Sequence, residues 1–285
     1  MPSYGWARWT FRAIAASTSH AREYSHQVPT LFVTGLNGYL GRALNRAAPK
    51  AGWTVHGLAD SAQDVRDAEL VDDAIAATAL DAVIHTAYRK DDRSVNVDGA
   101  ANVARAAAAV GARLVHLSTD LVFSGRLGRP LTEDDAPDPI IAYGEAKAEA
   151  ELEVAAAAPD AVLVRTSLLY GGPEPSPHER MVLDGGATFF TGELRCPVQV
   201  DELATALLEL AALPDVSGPL HVAGADAVDR YEFAQLIAAR HGRDPDALRS
   251  APRPEDRPGD CRLDCTRAAA LLSHAPRGVR DVLGY

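Results

Sequence analysis

The sequence predicts an α/β fold, a Rossmann-type doubly wound parallel sheet with a small C-terminal substrate-binding lobe. Short apolar segments rich in β-branched residues alternate with amphipathic or alanine-rich segments from residue 30 onward. Such alternation is typical of βαβ units, which build a parallel sheet. The first apolar segment, "TLFVTG" (30–35), runs directly into a glycine-rich turn and then a helical pattern. Since crossovers between parallel strands are right-handed, successive units place helices on both faces of the sheet.

The predicted strands and helices follow one another in the order that this fold requires. After the first strand, further strands are predicted at 53–59, 81–87, 112–119, 160–167 and 219–224. Helical spacing of apolar residues, or a long alanine-rich stretch, predicts helices at 39–52, 67–79, 94–111, 142–158, 201–213 and 230–242. Proline- and glycine-rich loops interrupt the alternation after about residue 170. We therefore expect a flexible N-terminal extension over 1–28, an NAD(P)-binding Rossmann domain over 29–170 and an interwoven substrate-binding lobe over 171–285.

Composition argues against several classes of function. The 285 residues carry a net charge of −11 with no offsetting basic tract, which argues against nucleic acid as the main partner. No run of apolar residues is long enough to predict a membrane span. The three cysteines, Cys196, Cys261 and Cys265, are too few and too odd in number for a disulfide framework, so we expect reduced thiols in a cytoplasmic protein. No metal site is assigned. We expect a small-molecule substrate as the partner and leave a homodimer open.

The segment "TGLNGYLGRAL" (34–44) predicts a dinucleotide-binding turn. Its glycines, Gly35, Gly38 and Gly41, have the spacing GxxGxxG at a strand-to-helix junction. Gly35 permits a tight turn, and Gly38 lets backbone N–H groups approach a pyrophosphate at the helix N-terminus. Gly41 lets the helix pack closely on the strand. The position of these glycines in the first βαβ unit is the context that supports the motif.

The identity of the dinucleotide depends on residues beyond the glycines. Asp60 follows the second predicted strand and could accept a hydrogen bond from an adenine-ribose hydroxyl, although a solvated loop acid is the alternative. Arg42, just after the glycines, could bind the 2′-phosphate of NADP. We favour NADP, with NAD as the alternative.

The segment "YGEAK" (143–147) predicts a catalytic pair. Tyr143 and Lys147 are four residues apart and share one face of a helix. A free tyrosine has a pKa of about 10, and we expect the nearby ammonium to lower it so that the phenol can protonate a carbonyl oxygen. Thr119 lies at the end of a predicted strand, in "LSTDLVFSG" (117–125), where it can donate to the same oxygen. A solvated surface pair and a strand-end cap are the alternatives.

Seven segments together resemble the dTDP-4-dehydrorhamnose reductases, which are extended short-chain dehydrogenases that reduce a 4-keto nucleotide sugar with NAD(P)H. In chain order the segments are "TGLNGYLG", "QDVRD", "NVDGA", "STDLVFSG", "YGEAK", "RTSLLYG" and "RPGDCRLD". The GxxGxxG spacing is also that of the extended short-chain dehydrogenases. The resemblance implies catalysis by Thr119, Tyr143 and Lys147. It implies that Tyr143 and Lys147 also bind the cofactor. The other cofactor-binding residues that it implies are Gly35, Asn37, Gly38, Tyr39, Leu40, Gly41, Asp64, Val65, Ala87 and Tyr88. It implies substrate binding by Thr119, Asp120, Leu168 and Arg257.

A second resemblance leads to a different function. The segments "RCPVQVDELA", "GPLHVAGADAVDRYEFAQLIA" and "CRLDCTRA" are similar to the regulatory β-subunit of methionine adenosyltransferase. That protein shares the fold and binds NADP, but it acts by binding a partner enzyme. Two departures from the reductases also bear on the substrate: Leu168 replaces the tryptophan of their "RTSW" motif, and the segment "HTAYRKDDRSVNVDG" is shorter than theirs.

We therefore expect an NAD(P)H-dependent reductase of a carbonyl substrate, such as a 4-keto-6-deoxy nucleotide sugar or a related natural-product intermediate. A non-catalytic NADP-binding regulatory subunit and a nucleotide-sugar epimerase are the alternatives. Dehydratases of this fold carry a glutamate directly after the Thr-Asp pair, and Leu121 at that position argues against elimination. Arg195 and Arg257 are predicted phosphate anchors from the C-terminal lobe, with salt bridges at the surface as the alternative for Arg195.

Overall fold

The computed structural model describes residues 28–58 and 63–284. Apart from Val28, the extension expected over 1–28 lies outside these ranges, and so does Asp60. The first half of the chain forms β1 (Thr30–Thr34), α1 (Tyr39–Ala47), β2 (Thr54–Leu58), α2 (Ala68–Ala76), β3 (Ala82–His85), α3 (Arg93–Asn96), α4 (Asp98–Ala109), β4 (Arg113–Thr119), α5 (Ala142–Ala157) and β5 (Val162–Thr166).

The second half consists of shorter elements. It forms β6 (Leu169–Tyr170), α6 (Pro177–Asp184), β7 (Thr188–Thr191), β8 (Leu194–Arg195), β9 (Val198–Gln199), α7 (Val200–Ala211), β10 (Gly218–His221), β11 (Val228–Asp229), α8 (Arg230–Arg240), β12 (Arg249–Pro252), α9 (Thr266–Leu271) and α10 (Val279–Leu283). Within the described ranges, none of these helices has both the length and the apolar character needed to cross a membrane.

Six parallel strands form the central sheet in the order β2-β1-β3-β4-β5-β10. The strand order reverses between β1 and β3, and open α/β sheets bind ligands at the carboxyl ends of the strands beside such a reversal. The predicted Rossmann-type α/β fold is confirmed. Strand β10 comes from the C-terminal part of the chain, so that part supplies one edge of the sheet as well as the small β-pairs outside it.

Two apolar layers bury the sheet. Helices α1 and α7 pack on one face around Val33, Leu44 and Leu207, whereas α2, α4 and α5 cover the other face around Val83 and Val103. All residues of β3 and β5 are buried. Burial on both faces explains the continuous apolar runs that predict these strands, since strands of a parallel sheet read in this way.

The predicted helices are observed with shorter bounds. The helix predicted over 39–52 ends as α1 at Ala47 and continues as a 3₁₀ turn, Ala48–Ala51, which Gly52 closes in the left-handed region at φ 82°. The helix predicted over 94–111 is divided into α3 and α4 at Val97. Local turn geometry, rather than apolar spacing, sets these ends.

The segment 257–264 returns to the sheet and packs beside the turn that follows β4. Backbone N–H groups of Gly259 and Asp260 donate to the carbonyls of Ser124 and Gly125 at 3.0 and 2.9 Å. Phe123 lies in an apolar cluster with members of the returning segment. This pairing brings the "RPGDCRLD" segment to the carboxyl ends of β4 and β5.

Candidate active site

A cavity of about 880 Å³ opens at the carboxyl ends of β1, β3, β4 and β5. Every residue to which the resemblance to the reductases assigned a catalytic, cofactor or substrate role lines this cavity, although the residues come from distant parts of the chain. They are Gly35, Asn37, Gly38, Tyr39, Leu40, Gly41, Asp64, Val65, Ala87, Tyr88, Thr119, Asp120, Tyr143, Lys147, Leu168 and Arg257. The structure therefore brings them together, while their individual roles stay predictions.

The glycine-rich turn presents the N-terminus of α1 to the cavity. Gly35 turns the chain at φ 72°, and the Gly38 N–H donates to the Gly35 carbonyl at 2.9 Å. A Cβ at Gly41 would lie 2.1 Å from the Gly35 oxygen, so only glycine lets α1 pack this closely. Gly38 is the N-cap of α1, and as a glycine it has no side chain that could cap the helix. The first backbone N–H groups of the helix are therefore available to an anion.

The loop that begins at residue 63 also lines the cavity. Asn102 of α4 holds it by donating to the carbonyls of Val65 and Arg66 at 3.0 and 3.1 Å. Asp64 accepts from Arg66, and this pairing lowers the pKa of the carboxyl. Arg42, predicted to bind a 2′-phosphate, does not line the cavity, because its guanidinium donates to the Asn37 carbonyl and to Glu174.

Helix α5 presents Tyr143 and Lys147 from the same face, as predicted from their spacing. Burial raises the pKa of Tyr143, and the charges of Tyr88 and Asp120 raise it further. The expectation that this pKa lies below that of a free tyrosine is therefore wrong. The ammonium of Lys147 is directed instead at the Leu117 carbonyl, 2.7 Å away, and at His116.

The ammonium of Lys147 is buried, and no carboxylate in the described part of the chain contacts it. Its two described hydrogen bonds go to neutral acceptors, the Leu117 oxygen and His116 Nε2, the latter at 3.2 Å. Glu151, one turn further along α5, is instead engaged by Ser118 and Arg165 at 2.5 and 2.7 Å. Burial accordingly lowers the pKa of Lys147 to about 8, because the charged form loses water that no carboxylate replaces.

Thr119 caps the turn after β4 and also faces the cavity. Its hydroxyl accepts from the Leu121 N–H and donates to Asp120, both at 3.2 Å. Asp120 also accepts from Ser167 at 2.6 Å and lies 3.7 Å from Arg195. Burial nevertheless raises the pKa of Asp120. The strand-end cap is thus observed, and donation to a substrate oxygen requires the Thr119 hydroxyl to turn away from Asp120.

Arginines from the C-terminal part line the far wall of the cavity. Arg257 pairs with the buried Glu193 and lies over the ring of Phe190, 4.9 Å from its centroid. Arg195 is 2% exposed and donates to the carbonyls of Leu194, Pro258 and Gly259. Neither a surface salt bridge nor a free phosphate anchor describes Arg195, because these carbonyls occupy its donors and make it a clamp for the 257–264 segment.

Sequence reasoning missed three residues of this region, Arg230, His178 and Gly144. Arg230, the first residue of α8, lines the cavity beside His178, and the two side chains are 3.5 Å apart. Gly144 lies against the turn after β4, where a Cβ would be 2.1 Å from the Leu121 oxygen. A glycine directly after the predicted catalytic tyrosine is the one signal that could have indicated such a close contact. No local pattern distinguishes Arg230.

A parallel sheet with a glycine-rich turn at its switch point and a Tyr/Lys helix at the same edge is typical of the short-chain dehydrogenase/reductase class. The family model described as RmlD substrate binding domain matches residues 29–284, and the chain belongs to this family.

Relatives support both resemblances noted in the sequence. The dTDP-4-dehydrorhamnose reductase of Mycolicibacterium smegmatis is 34% identical over 275 residues, covering 89% of this chain and 83% of that protein. Methionine adenosyltransferase 2 subunit beta of Bos taurus is 28% identical over 274 residues, covering 85% and 82%. The crystal structure of a Bacillus anthracis dTDP-4-dehydrorhamnose reductase in complex with NADP superposes with a TM-score of 0.80 at 24% identity, covering 90% of this chain and 98% of that one. The last likeness shows the fold.

The contact at Gly144 leads to a stability prediction. Gly144→Ala should lower the free energy of unfolding by about 1–3 kcal/mol, because the added methyl group forces α5 away from the Leu121 carbonyl. An exposed helical Gly→Ala change would stabilise by about 1 kcal/mol, so a loss isolates the steric effect. Urea unfolding measures it. Glu145→Ala, at an exposed neighbour on the same helix, should stay within about 0.5 kcal/mol of the parent. Equal stability of Gly144→Ala and the parent would contradict the contact.

Proposed function

We propose that this chain is an NADPH-dependent reductase of a carbonyl group, and that its substrate is a 4-keto-6-deoxy nucleotide sugar or a related natural-product intermediate. The observation that carries the proposal is that Thr119, Tyr143 and Lys147 line one cavity with the N-terminus of α1. The family and the reductases among its relatives support the same conclusion.

The walls of the cavity fit a dinucleotide. The uncapped N-terminus of α1 suits the pyrophosphate. Because Gly38 has no side chain, the pyrophosphate could approach the backbone closely there. Val65 and Asp64 would border the adenine, and Ala87 with Tyr88 would border the nicotinamide side. The Bacillus anthracis relative is in complex with NADP, which supports this cofactor over NAD. NADPH, when bound, supplies the hydride.

Side chains of this protein would supply the proton that the carbonyl oxygen takes up. Burial keeps the phenol of Tyr143 protonated at neutral pH, so that it is a ready donor to the oxygen of the carbonyl. Lys147, one turn further on, stabilises the phenolate that remains and can hold a ribose hydroxyl. Thr119 donates a second hydrogen bond to the same oxygen after it leaves Asp120. The carbonyl thus gains hydride at carbon and a proton at oxygen and becomes an alcohol.

The charge of the cavity supports a substrate that carries phosphate. Six cationic side chains line it, Arg89, Lys90, Lys147, Arg195, Arg230 and Arg257, although the whole chain is strongly acidic. Three carboxylates line it, Asp64, Asp120 and Glu193. Arg230 forms no ion pair with a carboxylate among the residues described, and its one hydrogen-bond contact is the His178 ring. A guanidinium in such surroundings suits the diphosphate of a nucleotide sugar.

A regulatory subunit is the second candidate function, favoured by the similarity to methionine adenosyltransferase 2 subunit beta. It would bind NADPH at the same cavity without oxidising it. Leu168, which stands in place of the tryptophan of the reductases, lines the cavity and bears on the choice of sugar. Turnover with a keto sugar separates the two functions, whereas nucleotide binding alone does not.

Removal of the phenol hydroxyl tests the proposed donor. Tyr143→Phe should lower kcat for NADPH oxidation with a dTDP-4-keto-6-deoxy sugar by about 10²–10⁴-fold, the usual contribution of general acid catalysis. NADPH absorbance follows the reaction. Tyr231→Phe, which removes a phenol outside the cavity, is the matched control and should retain the parent rate. Equal rates for Tyr143→Phe and the parent would exclude this donor, and bound NADPH without turnover in the parent would favour the regulatory subunit.

The pKa of Lys147 leads to a pH dependence of cofactor binding. The pKa lies at about 8, so the ammonium is present below that pH and is lost as the pH rises through it. Affinity for NADPH should therefore fall by about tenfold from neutral to alkaline pH, as a hydrogen bond from a charged donor is lost. Fluorescence titration at a series of pH values measures this. Lys147→Met should bind weakly with little pH dependence, and an equal fall in that variant would assign the effect to another group.

The guanidinium of Arg230 leads to a substrate-affinity prediction. Arg230→Met should raise KM for the nucleotide sugar by about tenfold or more, because a charge-assisted hydrogen bond to phosphate is lost, while Kd for NADPH changes little. Steady-state kinetics and nucleotide titration provide the two readouts. Arg240→Met, at the exposed end of the same helix, is the control. A larger change in NADPH affinity than in KM would place Arg230 at the cofactor instead.

A further inference from the structure

A row of buried polar side chains lies directly behind Lys147. Thr34, His85 and His116 occupy neighbouring strands in register, Thr34 beside His85 and His85 beside His116. All three are at most 2% exposed. Their side chains share a sheet face with the apolar cluster around Val83, where polar groups are costly unless they are hydrogen-bonded. This position calls for a function that an apolar residue could not supply.

The hydrogen bonds of the row determine the state of His116. An ammonium has only donors, so the contact of Lys147 Nζ with His116 Nε2, at 3.2 Å, makes that nitrogen an acceptor. The imidazole is then neutral, with its proton on Nδ1. Burial and the charge of Lys147 both lower the pKa of His116, which keeps it neutral. The His85 ring stacks on it with centroids 5.2 Å apart, and Thr34 Oγ1 lies 2.6 Å from His85 Nδ1.

The other groups around the ammonium do not replace this acceptor. On α5, Glu151 faces the same region, but Arg165 of β5 and Ser118 of β4 occupy its oxygens. Tyr143 precedes Lys147 by one turn on the same helix, and Asp120 after β4 is bound to Ser167 and Thr119. On β4 itself, the Leu117 carbonyl takes a second N–H. Two N–H groups of Lys147 are therefore held by the sheet, and within residues 28–58 and 63–284 the third has no other acceptor and is left for the cavity.

We propose that His116 is a positioning residue for Lys147, which fixes the ammonium against the sheet at the wall of the cavity without neutralising its charge. This inference rests on the proposed function. A carboxylate at the same place would form an ion pair and cancel the field that stabilises a phenolate. A neutral imidazole orients the donor and leaves the field in place. His85 and Thr34 act behind it by holding the ring.

Two substitutions separate positioning from structural support. His116→Leu removes the acceptor but suits the apolar face, and His116→Gln places an amide oxygen that can accept from Lys147. We expect His116→Leu to lower kcat at least tenfold with KM for the sugar within about threefold, and His116→Gln to recover most of kcat. Urea unfolding of both variants shows that they fold. Equal kcat for His116→Leu and the parent would overturn the inference.

A second readout does not depend on turnover. The chain has three lysines, Lys50, Lys90 and Lys147, so NMR of protein labelled with ¹³Cε-lysine resolves each side chain, and Lys147→Arg assigns the third. In His116→Leu, Lys147 should titrate about one pH unit lower than in the parent, because the charged form loses an acceptor. In His116→Gln it should titrate as in the parent. An unchanged Lys147 titration in His116→Leu would refute the contact.

The two readouts distinguish the failure of this inference from that of the proposed function. If Tyr143→Phe abolishes NADPH oxidation while His116→Leu changes neither kcat nor the Lys147 titration, the reductase stands and His116 has no positioning role. If the parent shows no turnover but Lys147 titrates lower in His116→Leu, the proposed function fails and the contact between His116 and Lys147 is supported.

Discussion

The contact between helix α5 and the turn after β4 determines the geometry of the cavity. Gly144 meets the Leu121 carbonyl at a distance that no other residue permits, so the helix lies against the strand end. Tyr143 and Lys147 lie on either side of this contact along α5. The contact therefore sets how far both side chains extend into the cavity. Further along, α5 packs into the apolar cluster of the sheet through Ala150 and Val154. The close packing of that core therefore fixes the position of both side chains.

Charged side chains around the cavity differ in their partners according to whether they face the sheet or the open space. Buried groups that face the sheet have partners: Glu151 is bound by Arg165, and Asp120 accepts from Ser167. Cations that face the open space have fewer partners, as at Arg230. Because an unpaired charge is costly to bury, the imbalance is tolerated only where solvent or an anionic ligand can reach it. The same surface that costs folding energy is thus the one at which the proposed substrate would place its phosphate groups.

The sequence predicts the fold and most of the cavity because these depend on local patterns. The glycine-rich turn is one continuous motif, and Tyr143 with Lys147 follows from helical spacing. Arg230 could not be predicted, because its place depends on how α8 packs against α6, β7 and α10. The prediction of a lowered pKa for Tyr143 was wrong for a similar reason. Burial raises this pKa, and burial depends on tertiary packing.

The far wall of the cavity is the last part of the site to be synthesised. Arg257 and Pro258 lie more than two hundred residues after Gly35, yet both line the same space. Arg195 and the backbone of Ser124 hold this late segment in place. The helix that begins at the glycine-rich turn packs on α7, and the 257–264 segment follows later still, so the cavity cannot be complete until almost all of the chain is available. A late segment of the chain therefore completes a cavity whose first residues follow its N-terminal strand.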